Sequence, residues 1–142
     1  MRLRCLSFLC ACVLFVAACS KETVTTFPPV FARGVSSDGS PIDILPKRIP
    51  VGVHQIYAVV KFEGLTANDV MTATWYHGTQ KILENKTNPT QLMGGKAPQG
   101  RVSLWWPPDI SFSTGAIPPG SYRLDVSLNG KVVQTGSFEV LP

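Results

Sequence analysis

The fold is decided by residues 120–141, which read GSYRLDVSLNGKVVQTGSFEVL. Apolar and polar residues alternate along most of this stretch, as they do in strands with one buried face. Asn129 and Gly130 separate its two halves, and an Asn-Gly pair between alternating runs is a strong short-range signal for a β-hairpin. We therefore predict two antiparallel strands joined by a tight turn.

Two registers are compatible with this hairpin. A two-residue turn pairs Leu128 with Lys131, but it puts the apolar residues of the two strands on opposite faces unless a later bulge corrects the phase. A three-residue turn with a left-handed Gly130 pairs Ser127 with Lys131 and needs no further defect, so we predict this turn. Its shared face would hold Tyr122, Leu124, Val126, Phe138 and Val140, with Gln134 as the polar member.

Two segments upstream alternate in the same way. Residues 54–63 have one apolar face, and Gly64 ends the segment. Residues 70–77 have a second apolar face, and Gly78 supplies a turn after it. The residues predicted to face the core are Ile56, Ala58, Val60 and Phe62 in the first segment and Met71, Ala73 and Trp75 in the second.

The rest of the chain from residue 30 onward has weaker strand signals between many turn residues. Pro46 and Pro50 permit only edge-like segments between residues 42 and 49, because proline cannot donate to a central ladder. Residues 86–100 have the composition of a long loop, and no stretch predicts a helix. Further short strands are expected at residues 31–36, 81–83 and 101–106.

About seven short strands with strong turn signals predict an all-β fold, a β-sandwich. The chain resembles immunoglobulin-like domains of the disulfide-free bacterial kind. The resemblance is carried by Trp75 before a tight turn, by Leu104 in a later strand, and by residues 119–126, where Tyr122 opens the penultimate strand as in a tyrosine corner. Transthyretin-like and fibronectin-like sandwiches share this pattern, so the subtype stays open.

The first nineteen residues have the three parts of an export signal. Arg2 and Arg4 form a basic start, and an almost wholly apolar run follows over residues 5–16. This run is too short to span a bilayer, since a helix needs about 20 residues to cross ~30 Å of hydrocarbon. Its end resembles the lipobox of bacterial lipoproteins at each position: Val16, Ala17, Ala18 and Cys19.

The lipobox resemblance implies cleavage between Ala18 and Cys19 and a diacylglyceryl thioether on Cys19. The new amino terminus is usually acylated as well, and two or three acyl chains hold a protein on a membrane. Ser20 is consistent with transfer to the outer membrane, where the protein would face the periplasm. An ordinary secretion signal is the alternative. The expected division is residues 1–18 as signal peptide, 19–29 as lipidated cysteine and flexible tether, and 30–142 as the immunoglobulin-like β-sandwich.

Composition limits the functions that remain. All four cysteines lie at or before Cys19, so the mature chain has no disulfide. Once Arg2 and Arg4 are lost with the signal, eleven of the thirteen Lys and Arg residues remain against nine acidic ones, a formal charge of +2. No dense basic stripe remains, and we therefore expect no nucleic-acid partner.

No catalytic or metal-binding pattern stands out. His54 and His77 are the two histidines, and they have neither metal-ligand spacing nor an acidic cluster near them in sequence. The chain has no nucleophile elbow, no paired-carboxylate motif and no phosphate-binding glycine loop. We therefore expect neither enzyme activity nor a cofactor. A hydrolase or hydrolase inhibitor would need a polar pocket with a perturbed titratable group.

Trp105 and Trp106 form the pair with the clearest functional signal. Adjacent strand residues point to opposite faces, so a buried Trp106 implies an outward Trp105. Trp105 beside Arg101 would form a binding surface, because aromatic and arginine side chains are favoured in binding hot spots. The alternative is that the loop at residues 86–100 or the Pro107-Pro108 pair covers Trp105.

These observations predict a membrane-anchored, non-catalytic protein-interaction module in the cell envelope. Its expected contacts are the membrane through the lipid on Cys19 and another envelope protein through an exposed strand edge or loop. The alternative function is a carbohydrate-binding module that recognises peptidoglycan or polysaccharide through Trp105.

Overall fold

The structure is a computed structural model that describes residues 23–92, 100–106 and 115–142, with the backbone alone for residues 101–106. Residues 1–22, which include the predicted signal peptide and Cys19, lie outside the described residues. Lipidation and cleavage therefore stay predictions from the sequence.

The described strands form two five-stranded sheets. Sheet 1 contains β1 (Thr25–Thr26), β2 (Val30–Val35), β3 (Pro41–Ile44), β5 (Ile56–Glu63) and β8 (Gly100–Trp106). Sheet 2 contains β4 (Arg48–Ile49), β6 (Met71–His77), β7 (Gln80–Thr87), β9 (Gly120–Leu128) and β10 (Lys131–Val140). In sheet 1, β5 is central, with β8 along one side and β1 and β2 along the other, and β3 lies outside β2. The order in sheet 2 is β4-β10-β9-β6-β7, and among the described strands β4 alone pairs in parallel.

The core lies between the facing apolar sides of the two sheets. All seven residues predicted to face it from β5 and β6 are fully buried, so the alternation read from the sequence is confirmed. Val59 is also buried, which gives β5 apolar burial on both faces. Among the residues that the structure describes, the largest buried side chains are Trp75, Tyr122 and Phe62. Burial of such aromatic surface contributes strongly to the stability of a domain.

The β9–β10 hairpin has the two-residue turn, so the predicted three-residue turn is wrong. Leu128 pairs with Lys131, and Asn129 (φ 50°) and Gly130 (φ 86°) both have positive φ, as a type I′ turn requires. The register then shifts between Val132 and Gln134. This bulge corrects the phase, because a turn that matches the strand twist and a shared buried face cannot otherwise coexist.

The bulge also leaves Gln134 opposite Val126, on the face predicted for it. The Gln134 side-chain amide donates a hydrogen bond of 2.7 Å to the Thr26 carbonyl in β1. A polar side chain at the margin of the core is thereby satisfied. The contact also joins sheet 2 to sheet 1.

Strand pairing begins earlier than the sequence pattern indicated. Thr25 pairs with Glu63 and Thr26 with Phe62, and the Phe27 amide donates to the Lys61 carbonyl at 3.0 Å. The domain therefore begins ahead of residue 30, within the stretch assigned to the flexible tether. The physical reason is that the end of β5 beyond β2 would otherwise leave its backbone groups unpaired on that side.

The expectation of no helix is wrong for one turn, α1 (Pro89–Leu92). Asn88 caps it, since its side-chain oxygen accepts from the Gln91 amide at 3.1 Å, and Pro89 is at the first helical position, where no amide hydrogen is needed. β7 runs to Thr87, so the predicted loop at residues 86–100 begins later than expected. No helix among the described residues is long and apolar enough to cross a membrane.

The tyrosine corner expected at Tyr122 is confirmed. Its hydroxyl donates to the Pro118 carbonyl at 2.7 Å, four residues upstream, and burial raises the pKa of this hydroxyl to about 12. The Tyr122 ring stacks between Phe138 and His77, with ring centroids 5.1 Å and 4.6 Å away. Gly120 adopts φ 140°, and any Cβ there would contact the His77 ring.

Candidate functional site

The predicted binding residues Trp105 and Arg101 both lie on β8. The backbone register pairs Trp105 with Tyr57 and Arg101 with Lys61. The side chains of residues 101–106 and the whole of Cys19 lie outside the described residues. The binding surface at Trp105 and the core position of Trp106 therefore remain predictions.

The two histidines have structural contacts. His54 Nδ1 lies 2.6 Å from the Gly115 carbonyl oxygen, and His77 Nε2 lies 3.3 Å from that of Pro119. Within the part of the chain that the structure describes, no three His, Cys, Asp or Glu side chains group closely enough to hold a metal ion.

β3 is the most distinctive surface element. It ends sheet 1 and pairs with β2 through Ala32–Ile44 and Gly34–Ile42. Ile42 and Ile44 are nevertheless 51% and 64% exposed. Gly34 has no side chain to cover Ile42, whose Cβ would lie 3.7 Å from a Cβ at that glycine. β3 thus presents apolar side chains on a strand that has one neighbour among the described strands.

Local hydrogen bonds hold β3 in place next to β2. The Ser36 amide donates to the Ser40 carbonyl at 2.9 Å, and the Ser40 amide donates to Asp38 at 3.0 Å. Gly39 lies in this turn with φ 79°, a conformation that favours glycine. Polar turn residues therefore close the hairpin, while none of the side chains of β3 is buried.

A cleft of about 420 Å³ adjoins β3, between the edge of sheet 1 and β10. Gly136 on β10 forms its floor, because a Cβ there would lie 2.6 Å from Pro29 Cγ and 3.0 Å from the Phe31 ring. Only glycine allows so close an approach of the two sheets. The other apolar lining residues include Pro28, Val30, Ile44 and Leu45.

Of the described charged residues around the cleft, one cation forms no ion pair with another described residue. Asp43 on β3 is paired with Arg33, with 3.4 Å between Oδ2 and Nε. Arg48 is likewise paired with Glu139 at 3.2 Å. Lys47 lines the cleft and forms no ion pair with any residue in the described ranges. The cleft is therefore apolar with a positive charge at its margin.

The edge strand β7 of sheet 2 is polar. Lys81 and Glu84 form an ion pair at 3.2 Å on this strand, and Lys86 adds a further charge. Charged side chains on an edge strand discourage pairing with other chains. A shallow groove of about 430 Å³ next to β7 is lined mainly by polar residues such as Thr72, and its described lining contains no aromatic ring on which a sugar could stack.

Sequence reasoning did not single out Ile42, Ile44 or Lys47. It did assign residues 42–49 to edge-like segments, because Pro46 and Pro50 exclude a central strand there. The sequence signal that could have indicated this surface is the pair Ile42 and Ile44, which flank Asp43 in a segment that is restricted to an edge. The exposure of Ile42 depends in part on Gly34 in the neighbouring strand, which has no side chain to cover it.

No family model and no curated protein sequence matches the chain. Among solved structures, the chain is similar to an immunoglobulin-like protein from Pseudomonas aeruginosa, with a TM-score of 0.53 and 13% identity over 85% of this chain and 98% of that one. The likeness concerns the fold alone. Together with the two described sheets, it identifies an all-β, immunoglobulin-like β-sandwich, as the sequence predicted.

A second similar structure is an alkylpurine DNA glycosylase from Pseudomonas fluorescens bound to DNA containing an abasic site analog. The TM-score is 0.48 at 15% identity, and the match covers 84% of this chain but only 30% of the glycosylase. The chain thus spans less than a third of that protein, and the match carries no argument about function.

Proposed function

We propose that this protein is a non-catalytic protein-interaction module, held at the bacterial cell envelope by a lipid on Cys19, that binds its partner along β3. The observation that carries the proposal is the exposure of Ile42 and Ile44 on a terminal strand beside an apolar cleft. The lipid anchor is supported by the lipobox resemblance at residues 16–19.

An extended partner segment is the occupant that best fits this surface. A terminal strand offers backbone donors and acceptors to an added strand, and neighbouring pockets select its side chains. Ile44 links the two features, since it belongs to β3 and also lines the cleft. Apolar residues on alternate positions of the partner would cover Ile42 and Ile44 and reach the cleft.

The charges favour a partner that carries an acidic group. The carboxylate of Asp43 is already paired with Arg33, whereas Lys47 has no ion pair within the described chain. A carboxylate on the partner would therefore meet an available cation at the cleft.

A second copy of this chain fits less well. Antiparallel pairing of two β3 strands with Ile42 opposite Ile44 would place Asp43 directly opposite Asp43 of the second copy. Like charges at directly opposite positions destabilise a strand pair. The proposed occupant is thus an extended apolar segment of another envelope protein with at least one acidic residue.

Site-specific photocrosslinking in living bacteria tests the edge. We expect p-benzoylphenylalanine at Ile44 to form an adduct, and the same residue at Glu84 on β7, the matched control, to form none. The crosslinked peptide, mapped by mass spectrometry, should be apolar and should contain an acidic residue. Ile42→Asp in the same chain should lower the adduct yield by at least about tenfold, because it places a charge in the apolar contact.

Three outcomes would contradict the edge proposal. One is equal adduct formation at positions 44 and 84, and another is no adduct at position 44. The third is an adduct that maps to this chain itself, since that result would identify a second copy as the occupant.

The anchor is tested separately by metabolic labelling with a clickable fatty acid. The wild-type protein should take up the label and fractionate with membranes, and Cys19→Ser should do neither, because the thioether needs the cysteine thiol. An unlabelled, water-soluble wild-type protein would refute the anchor and leave the edge proposal intact.

Carbohydrate binding through Trp105 remains the alternative function. Its position on β8 puts it next to β5, on the side away from β2 and β3. Peptidoglycan fragments should then bind with an affinity that Trp105→Ala lowers and Ile44→Asp leaves unchanged. Binding of a protein ligand that Ile44→Asp weakens and Trp105→Ala leaves unchanged would instead support the proposed binding along β3.

A further inference from the structure

We infer that the domain sits on the membrane by the end that carries the β5–β6 connection, residues 64–70, and points β3 away from the lipid. This inference rests on the lipid anchor proposed at Cys19 but not on the identity of the partner. It follows from where the chain enters sheet 1 and from the register of the strands.

The chain enters the domain at the β5–β6 end. Thr25 pairs with Glu63, the last residue of β5, and a Cβ on Gly64 would lie 3.1 Å from the Thr23 carbonyl oxygen. Only four residue steps separate Cys19 from Thr23. Even fully extended, they reach at most about 14 Å. A lipid on Cys19 therefore keeps this end of the domain within about 14 Å of the membrane surface.

This end is a compact surface rather than a loose loop. The Asp69 carboxylate accepts hydrogen bonds from the Thr66 amide at 2.7 Å and from the Asn129 side chain at 2.7 Å. These bonds join the β5–β6 connection to the β9–β10 turn. The Thr90 hydroxyl of α1 donates to the Thr66 carbonyl at 3.0 Å, so the helical turn packs on the same end.

The chemistry of this end suits the headgroup region of a bilayer. Leu92 is 71% exposed at the last position of α1 and is the most exposed large apolar side chain in the described chain. Thr66 and Asn68 in the β5–β6 connection are polar and uncharged, and both are exposed. The exposed leucine can enter the boundary between headgroups and acyl chains. The two acidic side chains of this end are both engaged, Asp69 in hydrogen bonds with Thr66 and Asn129 and Glu63 in an ion pair with Lys61.

β3 lies toward the opposite end of the sandwich. Along β5, Glu63 pairs with Thr25 and Tyr57 pairs with Ala32, which in turn pairs with Ile44. Glu63 and Tyr57 are six residues apart along β5, which at about 3.3 Å per residue is about 20 Å. Ile42 lies further out still, since β3 runs on past Ala32 toward the β2–β3 turn.

The inferred orientation has a direct consequence for binding. A partner segment can reach β3 from the aqueous side, with the thickness of the domain between it and the lipid. The short tether would also prevent the domain from turning over, because the end of β5 cannot move more than the length of four residues from the anchor.

Fluorescence quenching on reconstituted protein tests this orientation. Lipidated protein with one added cysteine, Asn68→Cys or the matched Ser37→Cys in the β2–β3 turn, is labelled with bimane. It is then placed in mixed phosphatidylethanolamine and phosphatidylglycerol vesicles that contain a lipid with a nitroxide headgroup. We expect label at position 68 to be quenched at least about threefold more strongly than label at position 37, because the tether holds that end near the headgroups.

A spacer variant checks the cause of the difference. Insertion of a long Gly-Ser spacer between Glu22 and Thr23 should reduce the quenching ratio toward one, since the anchor then no longer restrains the end of β5. Equal quenching at positions 68 and 37 without the spacer would overturn the orientation, and so would stronger quenching at position 37. Failure of the wild-type protein to float with vesicles would instead refute the lipid anchor on which the inference rests.

Discussion

β3 and β7 each have a neighbour on one side only among the described strands, yet they differ in length and in how many side chains they pack against the core. β7 is eight residues long and pairs with β6 along its whole length, and its Ile82 and Leu83 pack against the core. β3 is four residues long and contributes no buried side chain. β7 thus contributes side chains to the core, whereas β3 is held mainly by its pairing with β2.

The side-chain contacts that hold the two strands also differ: those that follow β7 are partly buried, and the ion pair on β3 is exposed. β7 leads into α1 through Asn88, whose side-chain amide donates to the Ala67 carbonyl at 2.6 Å, and Thr90 behind it is only 2% exposed. β3 is held by the Arg33–Asp43 ion pair, whose side chains are 52% and 64% exposed. Exposed ion pairs contribute little to stability. The difference indicates that stability is concentrated at β7 and that β3 is left available for recognition.

The largest effect is expected at the floor of the cleft. Gly136→Ala should lower the free energy of unfolding by about 1–3 kcal/mol, because the added Cβ overlaps Pro29 and the Phe31 ring. Gly34→Ala is the matched control. Its Cβ would make only an ordinary contact with Ile42, and it should leave stability unchanged or raise it by up to about 1 kcal/mol. Urea denaturation measures both variants, and equal losses would refute the close approach at Gly136.

The second-largest effect is expected in the hydrogen-exchange rates of the two edge strands, β3 and β7. Amides of β3 should exchange at least about tenfold faster than those of β7, which corresponds to about 1.4 kcal/mol less protection. The reason is that β3 buries none of its side chains, whereas β7 packs Ile82 and Leu83 on the core. Native-state exchange followed by NMR measures this, and a β3 as protected as β7 would contradict the comparison.

Removal of one attachment from each edge should have unequal effects. Asn88→Ala deletes both the cap of α1 and the bond to the Ala67 carbonyl, and it should cost about 1–2 kcal/mol. Asp43→Asn removes the exposed ion pair with Arg33 and should cost less than about 0.5 kcal/mol. Thermal unfolding of the two variants measures both losses. A larger loss for Asp43→Asn would contradict the conclusion that the contacts near β7 stabilise the domain more than those of β3.

The smallest effect is a pH dependence in the β5–β6 connection, which α1, the helical turn after β7, contacts through Thr90. Burial acts to raise the pKa of the Asp69 carboxyl, but hydrogen bonds from Thr66 and Asn129 outweigh it and lower this pKa below the ordinary value of 3.8. The charged form is thus favoured in the folded state, so its contribution is present above about pH 4 and is lost as pH falls through the folded pKa. Asp69→Asn should therefore destabilise the protein at about pH 6 and less at about pH 3. An equal loss at both pH values would contradict this account.

Local patterns were enough to predict much of the fold. β5 and β6 alternate so regularly that their buried residues were identified in advance, and the Asn-Gly pair correctly located the turn of the hairpin. Tyr122 was correctly expected to form a corner. Each of these features depends on neighbours within a few residues, where side-chain alternation and φ preferences act directly.

The candidate site was largely beyond sequence reasoning. Gly136 matters because Pro29 and Phe31 approach it from the other sheet, more than a hundred residues away in the chain. Ile44 matters because β3 has no further described neighbour in sheet 1. Neither relation has a local signature, since strand order depends on which distant segments pair. The predicted residues Trp105 and Arg101 remain to be tested by experiment.

By itself, the sequence determined a disulfide-free chain with a lipobox-like start, alternating strands and a tight Asn-Gly turn, because composition and short-range periodicity are written along the chain. The tertiary structure alone decided three other things: the bulge that corrects the β9–β10 register, the apolar edge at β3, and the end of the sandwich at which the chain from Cys19 enters. All three depend on the packing of two sheets against each other, where the burial of one shared core outweighs the preference of any single segment.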